Sequence, residues 1–178
     1  MFKCFLLIFA FITSSYAAEL HLLPAESVHV QSSVKRGSDY KHQAPVLLIS
    51  CVDYRFPDEI ADFMQKRGAL DKYAHLIVAG GSIGIDNLLY PDLRASFITQ
   101  MRLLKDLYNF HTIILLDHRD CDLFKLIHGD KHTNNPADEE DMHKHHLHNV
   151  KKLILEIYPD MNVEMLLMAV DGSVITIK

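Results

Sequence analysis

The sequence predicts one α/β domain with three layers: a mainly parallel four-stranded sheet, a short antiparallel strand at its C-terminal edge, and helices on both faces. Short apolar runs of strand length alternate with longer segments in which apolar residues recur at helical spacing. This alternation is typical of α/β proteins, whose sites gather at the carboxyl ends of the strands. With the first and third strands as neighbours and the second outside them, the strand order is 2-1-3-4.

Each element is predicted from a local signal. The strands are expected at 46–50, 75–79, 112–117 and 163–170, with a short fifth strand at 173–177. The helices are expected at about 57–68, 91–108 and 139–157. Pro57 followed by two acidic residues marks a helix start, and Gly68 marks the end of that helix. Asp171 and Gly172 form a hairpin turn signal, which predicts that the last strand is antiparallel.

The N-terminal segment has the pattern of a secretory signal peptide at residues 1–17. Lys3 precedes an apolar run at 5–12, and small residues surround a cleavage point after Ala17. The apolar run is too short to remain as a membrane anchor. We therefore expect a periplasmic or secreted protein without a membrane anchor after processing. Residues 18–44 are predicted to form a polar arm, and residues 45–178 the domain.

The charge balance excludes some classes of partner. The chain has 18 basic and 23 acidic residues, with a formal net charge of -5. A nucleic-acid or anionic-membrane partner calls for a basic patch, and this balance argues against both.

Two short clusters carry most of the functional information. Cys51, Asp53 and Arg55 follow the first predicted strand, while His118 and Cys121 follow the third. Zinc favours thiolate and imidazole donors in a tetrahedral arrangement, and catalytic zinc sites use three protein ligands and leave one position open. Cys51, His118 and Cys121 supply such a set, and the predicted strand order brings the two clusters together.

In this order and strand context, the Cys-x-Asp-x-Arg and His-x-x-Cys motifs resemble those of the β-class carbonic anhydrases. The resemblance extends from about Pro45 to Ile177. It implies that zinc is bound by Cys51, His118 and Cys121, and that Asp53 and Arg55 match the aspartate and arginine pair of the family. It also implies a homodimer or a dimer-based homo-oligomer. Three positions depart from the family pattern: Ile77-Val78 replaces the usual Arg-Asn, and Asp122 replaces a glycine.

The predicted chemistry is reversible hydration of carbon dioxide to bicarbonate and a proton. A zinc-bound water loses its proton near pH ~7 and so supplies hydroxide in neutral solution. Asp53 can occupy the open zinc position, or it can turn away to accept hydrogen bonds from Arg55 and the bound water. Asp53 is therefore a candidate fourth ligand as well as a catalytic residue, and Arg55 would act as the switch.

Several alternatives remain open from sequence. The same site could hydrolyse a related heterocumulene such as carbon disulfide or carbonyl sulfide, or the protein could bind zinc without turnover. The two cysteines could form a disulfide, which is common in secreted proteins, but the adjacent histidine favours metal. Asp53 and Arg55 could be a structural ion pair. The bend at Gly80 and Gly81 favours close packing beside the site over phosphate binding.

A histidine-rich stretch is the other unusual feature of the chain. It contains His128, His132, His143, His145, His146 and His148. Helical spacing places His145 and His148 on one face and His143 and His146 on another. Such a tract can hold zinc or copper loosely, but the interpretation we favour from sequence is a solvated helix, because no nearby carboxylate or cysteine completes a tight ligand set.

Overall fold

The structure, a computed structural model, describes residues 44–130 and 134–178. Apart from Ala44, the predicted signal peptide and arm fall outside these ranges, as does His132. Both assignments stay predictions, which N-terminal sequencing of the exported protein would check. Within the described ranges, no helix is both long and apolar enough to span a membrane.

The described residues form alternating strands and helices. The strands are β1 (Val46–Cys51), β2 (Tyr73–Val78), β3 (Thr112–His118), β4 (Asn162–Met168) and β5 (Val174–Thr176). The helices are α1 (Pro57–Lys66), α2 (Ser82–Asp86), α3 (Pro91–Tyr108), α4 (Asp122–His128) and α5 (Pro136–Ile157).

The sheet has the predicted topology. Its strand order is β2-β1-β3-β4-β5, the first four strands are parallel, and β5 is antiparallel to β4. Because β1 lies between β2 and β3, the chain order reverses there. Ser50 pairs with Leu116 of β3, so Cys51 and His118, the last residues of β1 and β3, lie at the same edge of the sheet. This is the crevice in which α/β proteins place their sites.

Alternation along the strands produces a separate core on each face of the sheet. Leu47 and Ile49 of β1 belong to the core that packs against α3 and α5, whereas Leu48 belongs to the core that packs against α1. All three side chains are at most 2% exposed. Successive strand residues point to opposite faces, so a continuous apolar run predicts a strand buried on both sides. The predicted three-layer arrangement is confirmed.

The structure adds two short helices, α2 and α4, to the three predicted, and the other differences lie at element ends. The glycine-rich bend after β2 continues into the short helix α2, which packs against α5. Helix α5 begins at Pro136, three residues before the predicted start, because the Asn135 side chain accepts a hydrogen bond from the backbone N–H of Ala137 and proline is tolerated in the first turn. Strand β4 ends at Met168, where the chain turns toward β5.

The solvated-helix interpretation is wrong for half of the histidines on α5. His145 and His148 are exposed, but His143 is 0% exposed and His146 is 8% exposed. The two buried rings contact the ring of Phe124 in α4, with centroid distances of 3.8 Å and 5.6 Å. The sequence pattern separated the two faces of the helix correctly, but it did not show that α4 covers one of them.

Candidate metal centre

Three elements bring the proposed ligands together. Cys51 ends β1, His118 ends β3, and Cys121 is the residue immediately before α4. The turn between His118 and Cys121 is tight, because Asp120 adopts a left-handed conformation with φ of 59°. Aspartate is one of the few residues besides glycine that tolerates this conformation. The sequence His-Arg-Asp-Cys therefore folds back far enough to direct both end residues into one crevice.

The donor atoms are spaced as ligands of one ion would be. The Sγ atoms of Cys51 and Cys121 are 4.0 Å apart, and each cysteine is a free thiol. Two thiolates on a tetrahedral zinc, with Zn–S bonds of about 2.3 Å, lie roughly 3.8 Å apart. A ring nitrogen of His118 completes the group, with all three donor atoms within 4.8 Å of one another.

The hydrogen bonding of His118 leaves one ring nitrogen available to a metal. Its Nδ1 is 2.8 Å from the backbone carbonyl oxygen of Arg119, so Nδ1 carries the proton and donates it. Its Nε2 is buried and has no hydrogen-bond partner among the described residues. A buried polar atom without a partner is costly, and metal-binding histidines commonly donate their other N–H to a carbonyl oxygen. The residues present therefore fit a zinc ion.

The two thiols differ in protonation. The hydrogen bond from Cys121 lowers the pKa of the Cys51 thiol to about 4, although partial burial opposes this shift. The same contact raises the pKa of Cys121, and burial acts in the same direction. Burial alone would lower the pKa of His118, but the neighbouring Cys51 thiolate and Asp53 carboxylate raise it. Cys51 is therefore the thiolate of the metal-free site, the form that binds zinc.

This difference predicts selective alkylation of Cys51 in the reduced, metal-free protein. Cys51 is partly exposed and Cys121 is 2% exposed. Because the thiolate of Cys51 is already formed below neutral pH, its reaction with iodoacetamide should change little between pH 6 and 8. An ordinary thiol, with a pKa of about 8.5, would react close to tenfold faster per pH unit over this range. Peptide mapping by mass spectrometry measures both sites, and the urea-unfolded protein is the control. An equally steep rise in the folded protein would contradict the assignment.

Asp53 and Arg55 form a paired, multiply bonded unit. Arg55 Nη2 and Nε donate to Asp53 Oδ2 and Oδ1 at 2.7 Å and 3.0 Å, and the backbone N–H of Arg55 also donates to Oδ1 at 3.0 Å. The hydrogen bonds from Arg55 lower the pKa of Asp53 to about 2. Asp53 Oδ2 also lies 3.7 Å from Nε2 of His118, so the carboxylate borders the metal centre.

Sequence reasoning missed the second partner of Arg55. The guanidinium donates from Nη1 to Asp120 Oδ2 at 2.6 Å and from Nη2 to the Asp120 backbone carbonyl at 2.9 Å. Arg55 thus joins the β1 cluster to the β3 cluster. Asp120 also pairs with Lys125 of α4. An acidic residue directly before a candidate cysteine ligand was the available signal.

A buried polar network lies next to His118, around the carboxylate of Asp117. The carboxylate of Asp117, next to His118, accepts hydrogen bonds from the backbone N–H and the hydroxyl of Ser82 and lies 3.0 Å from Nδ1 of His143. A Cβ added to Gly81 would lie 2.6 Å from Asp117 Oδ1. The glycine bend therefore serves close packing beside the site, as predicted.

The turn that carries Asp120 is held from α5. Glu139, 4% exposed, accepts a hydrogen bond from the Asp120 backbone N–H at 2.6 Å and pairs with Arg119 at 3.1 Å. Asp122 lies in the first turn of α4 and its side chain is 88% exposed. An acidic side chain in the first turn interacts favourably with the dipole of the helix.

A pocket of about 370 Å³ opens beside the donor atoms. Cys51, Cys121 and Asp53 line one part of it, and apolar groups line most of the rest. These apolar groups come from Val52, Tyr54, Ala79, Leu123 and Leu126. A small apolar molecule can therefore reach the metal centre.

Fold and site together define an α/β protein with a buried Cys-His-Cys group at the point where the chain order reverses. Two rickettsial proteins, from Rickettsia bellii (strain RML369-C) and Rickettsia conorii (strain Malish 7), are each 32% identical to the chain over 133 residues. The matches cover 75% of this chain and 81% and 72% of the respective relatives, which are described as uncharacterized proteins. The chain belongs to the same protein family as these two. No protein-family model matches it.

The chain is similar to several solved structures of carbonic anhydrases. The enzyme of Streptococcus mutans is 18% identical, with 78% of this chain and 84% of that chain covered and a TM-score of 0.47. The β-carbonic anhydrase isoform I of Trichomonas vaginalis is 16% identical, with coverage of 81% and 87% and a TM-score of 0.49. A further similar structure, of tetrameric β-carbonic anhydrases from Sordaria macrospora, is 12% identical over 75% and 81% of the two chains, with a TM-score of 0.39.

Proposed function

We propose that the protein is a zinc enzyme that interconverts carbon dioxide and bicarbonate, with Cys51, His118 and Cys121 as the zinc ligands. The observation that carries the proposal is the convergence of the two cysteine sulfurs on the buried Nε2 of His118, which has no hydrogen-bond partner among the described residues. When bound, zinc supplies a Lewis acid that lowers the pKa of its water to about 7.

Within this proposal, Asp53 is a positioned hydrogen-bond acceptor. Its pKa of about 2 keeps the carboxylate ionised at neutral pH, so it accepts a hydrogen bond and does not take up a proton. Arg55 donates to both carboxylate oxygens. This supports the arrangement in which Asp53 is turned toward Arg55 and leaves the fourth zinc position open. Asp120, on the other side of Arg55, keeps the guanidinium in place.

The apolar pocket supports a small uncharged substrate. Carbon dioxide carries no net charge, and the side chains of Val52, Leu123 and Leu126 offer no strong competing hydrogen bonds. The volume of about 370 Å³ also admits larger relatives of carbon dioxide. That size is compatible with a second candidate function, hydrolysis of carbon disulfide or carbonyl sulfide at the same centre.

To separate these two candidate functions, carbon dioxide, carbon disulfide and carbonyl sulfide are each added to the same preparation of verified zinc content. Bicarbonate formation is followed by a pH indicator, and sulfide release reports hydrolysis of either sulfur compound. Acceleration with carbon dioxide and little sulfide release is the expected result. Faster sulfide release would assign the alternative function, and no acceleration with any substrate would favour a zinc-binding protein without turnover.

We also propose that a second copy of the chain covers the mouth of the pocket. Val52, Tyr54 and Leu126 are 62%, 87% and 71% exposed, respectively, although they line an apolar pocket. Burying such side chains is favourable by about 25 cal/mol per Å² of apolar area. Light scattering on the purified protein should give a mass of at least two chains, and Tyr54→Glu should shift it toward one. A monomeric wild type would refute the proposal.

A further inference from the structure

A second group of metal-binding side chains lies where α2 meets α5. Asp86 ends α2, and His145 and His146 are on α5. One donor atom from each of these residues lies within 4.8 Å of the donor atoms of the other two. Asp86 is partly buried, His146 is buried and His145 is exposed, so an ion from solvent can reach the group.

Two donors of this group are hydrogen-bonded to each other and lie slightly closer together than neighbouring ligands of one ion. Asp86 Oδ2 lies 2.8 Å from Nδ1 of His146. Ligands of one tetrahedral ion with bonds of about 2.0 Å are roughly 3.3 Å apart, so only a small separation is required. Burial lowers the pKa of His146, although Asp86 opposes the shift, which keeps the imidazole in the neutral form that binds metal.

His128 offers the other ring nitrogen of His146 a hydrogen-bonding partner. Its Nε2 lies 3.0 Å from Nε2 of His146, so one of these two nitrogens carries a proton that the other accepts. Because a carboxylate oxygen accepts, His146 donates from Nδ1 to Asp86 Oδ2 and accepts at Nε2 from His128. A cation between Asp86 and His146 would replace the proton on Nδ1, and Nε2 of His146 would then donate to His128. A ligating histidine typically donates its other N–H to a neighbouring acceptor in this way.

The side-chain amide of Asn149 occupies the space between Asp86 and His145. Asn149 Nδ2 lies 2.8 Å from Asp86 Oδ2 and 3.2 Å from Nε2 of His145. Both acceptors thus converge on one donor group, and the side chain of Asn149 has to turn aside when an ion takes its place.

We propose that Asp86, His145 and His146 form a second metal site for a divalent ion such as Zn²⁺, with His128 orienting His146. Two imidazoles and a carboxylate suit zinc and its neighbours in the transition series. The site has no thiolate and one exposed ligand, so its affinity is lower than that of the cysteine centre. It does not depend on the proposed enzymatic function, since none of its ligands belongs to the first centre.

The test compares metal binding by four proteins without the predicted signal peptide: the wild type, Asp86→Asn, His145→Ala and His148→Ala. His148 is the matched control, because it is exposed on α5 and its Nδ1 is bonded to the backbone carbonyl of Lys144. Each protein is dialysed against buffered zinc at a series of free concentrations, and bound zinc is measured by elemental analysis. Cobalt substitution then separates the sites, because only the cysteine centre gives a thiolate-to-cobalt charge-transfer band.

The expected result is a second, weaker equivalent of zinc in the wild type and in His148→Ala. In Asp86→Asn and in His145→Ala its affinity should fall by about tenfold or more, while the charge-transfer band stays unchanged. A wild type that saturates with the cysteine centre alone would overturn the proposal. So would a second equivalent that both ligand variants retain, because other histidines would then be holding it.

Discussion

Cys121→Ser is expected to abolish tight zinc binding. Serine is close in size to cysteine, so the nearly fully buried position should still pack, but its hydroxyl is neutral at pH 7 and is a poor zinc ligand. Replacing groups that only support a ligand lowers metal affinity by about 10- to 100-fold, and loss of a ligand should cost at least that much.

Elemental analysis after dialysis against a mild chelator measures this effect. Asp122→Ala is the matched control, because Asp122 is the next residue, is largely exposed and offers no ligand in the centre. The control should retain zinc and Cys121→Ser should not. If Cys121→Ser kept its zinc, the ligand assignment would be wrong, whatever the protein catalyses.

Asp53→Ala is expected to keep zinc and lose most of the hydration activity. Asp53 is outside the Cys-His-Cys group, yet its Oδ2 lies 3.7 Å from Nε2 of His118. Removing it takes away an ionised acceptor beside the metal and leaves Arg55 with Asp120 as its remaining acidic partner. A group that positions the reacting species in this way typically contributes about 10- to 100-fold in activity.

The companion variant is Asp53→Asn, which keeps the shape of the side chain and removes its charge. Because the pKa of Asp53 is about 2, the carboxylate is ionised throughout the range from pH 6.5 to 9. Both variants should therefore lose activity across the whole range when zinc content is equal. Unchanged rates, with only a lower free energy of unfolding, would show that Asp53 and Arg55 are a structural ion pair.

The fold and the convergence of the three candidate ligands were predictable because they depend on local patterns. The apolar runs that contain Leu47, Leu48 and Ile49 are long enough to be buried on both faces, which indicates a central parallel strand. The topology of such sheets then places the ends of β1 and β3 side by side. Cys51, His118 and Cys121 follow from that placement, since each lies at or just after a predicted strand end.

The supporting groups were not predictable, because they depend on contacts between distant segments. Asp120 was visible in the sequence, but its bond to Arg55 spans 65 residues. Glu139 lies in the acidic segment at the start of α5, and nothing local shows that its carboxylate reaches the turn before Cys121. Asp86 is a single acid in an apolar segment, so its contact with His146 emerges only once α2 packs against α5.

Carbon dioxide hydration by stopped flow, from about pH 6.5 to 9, tests the central claim most directly, because this range brackets the pKa of about 7 for a water on zinc. The protein must be reduced, processed at its N-terminus and of verified zinc content. A rate well above the buffer rate that rises with pH through this range is the predicted result. No rate above buffer in fully zinc-loaded protein would contradict the proposed hydration activity.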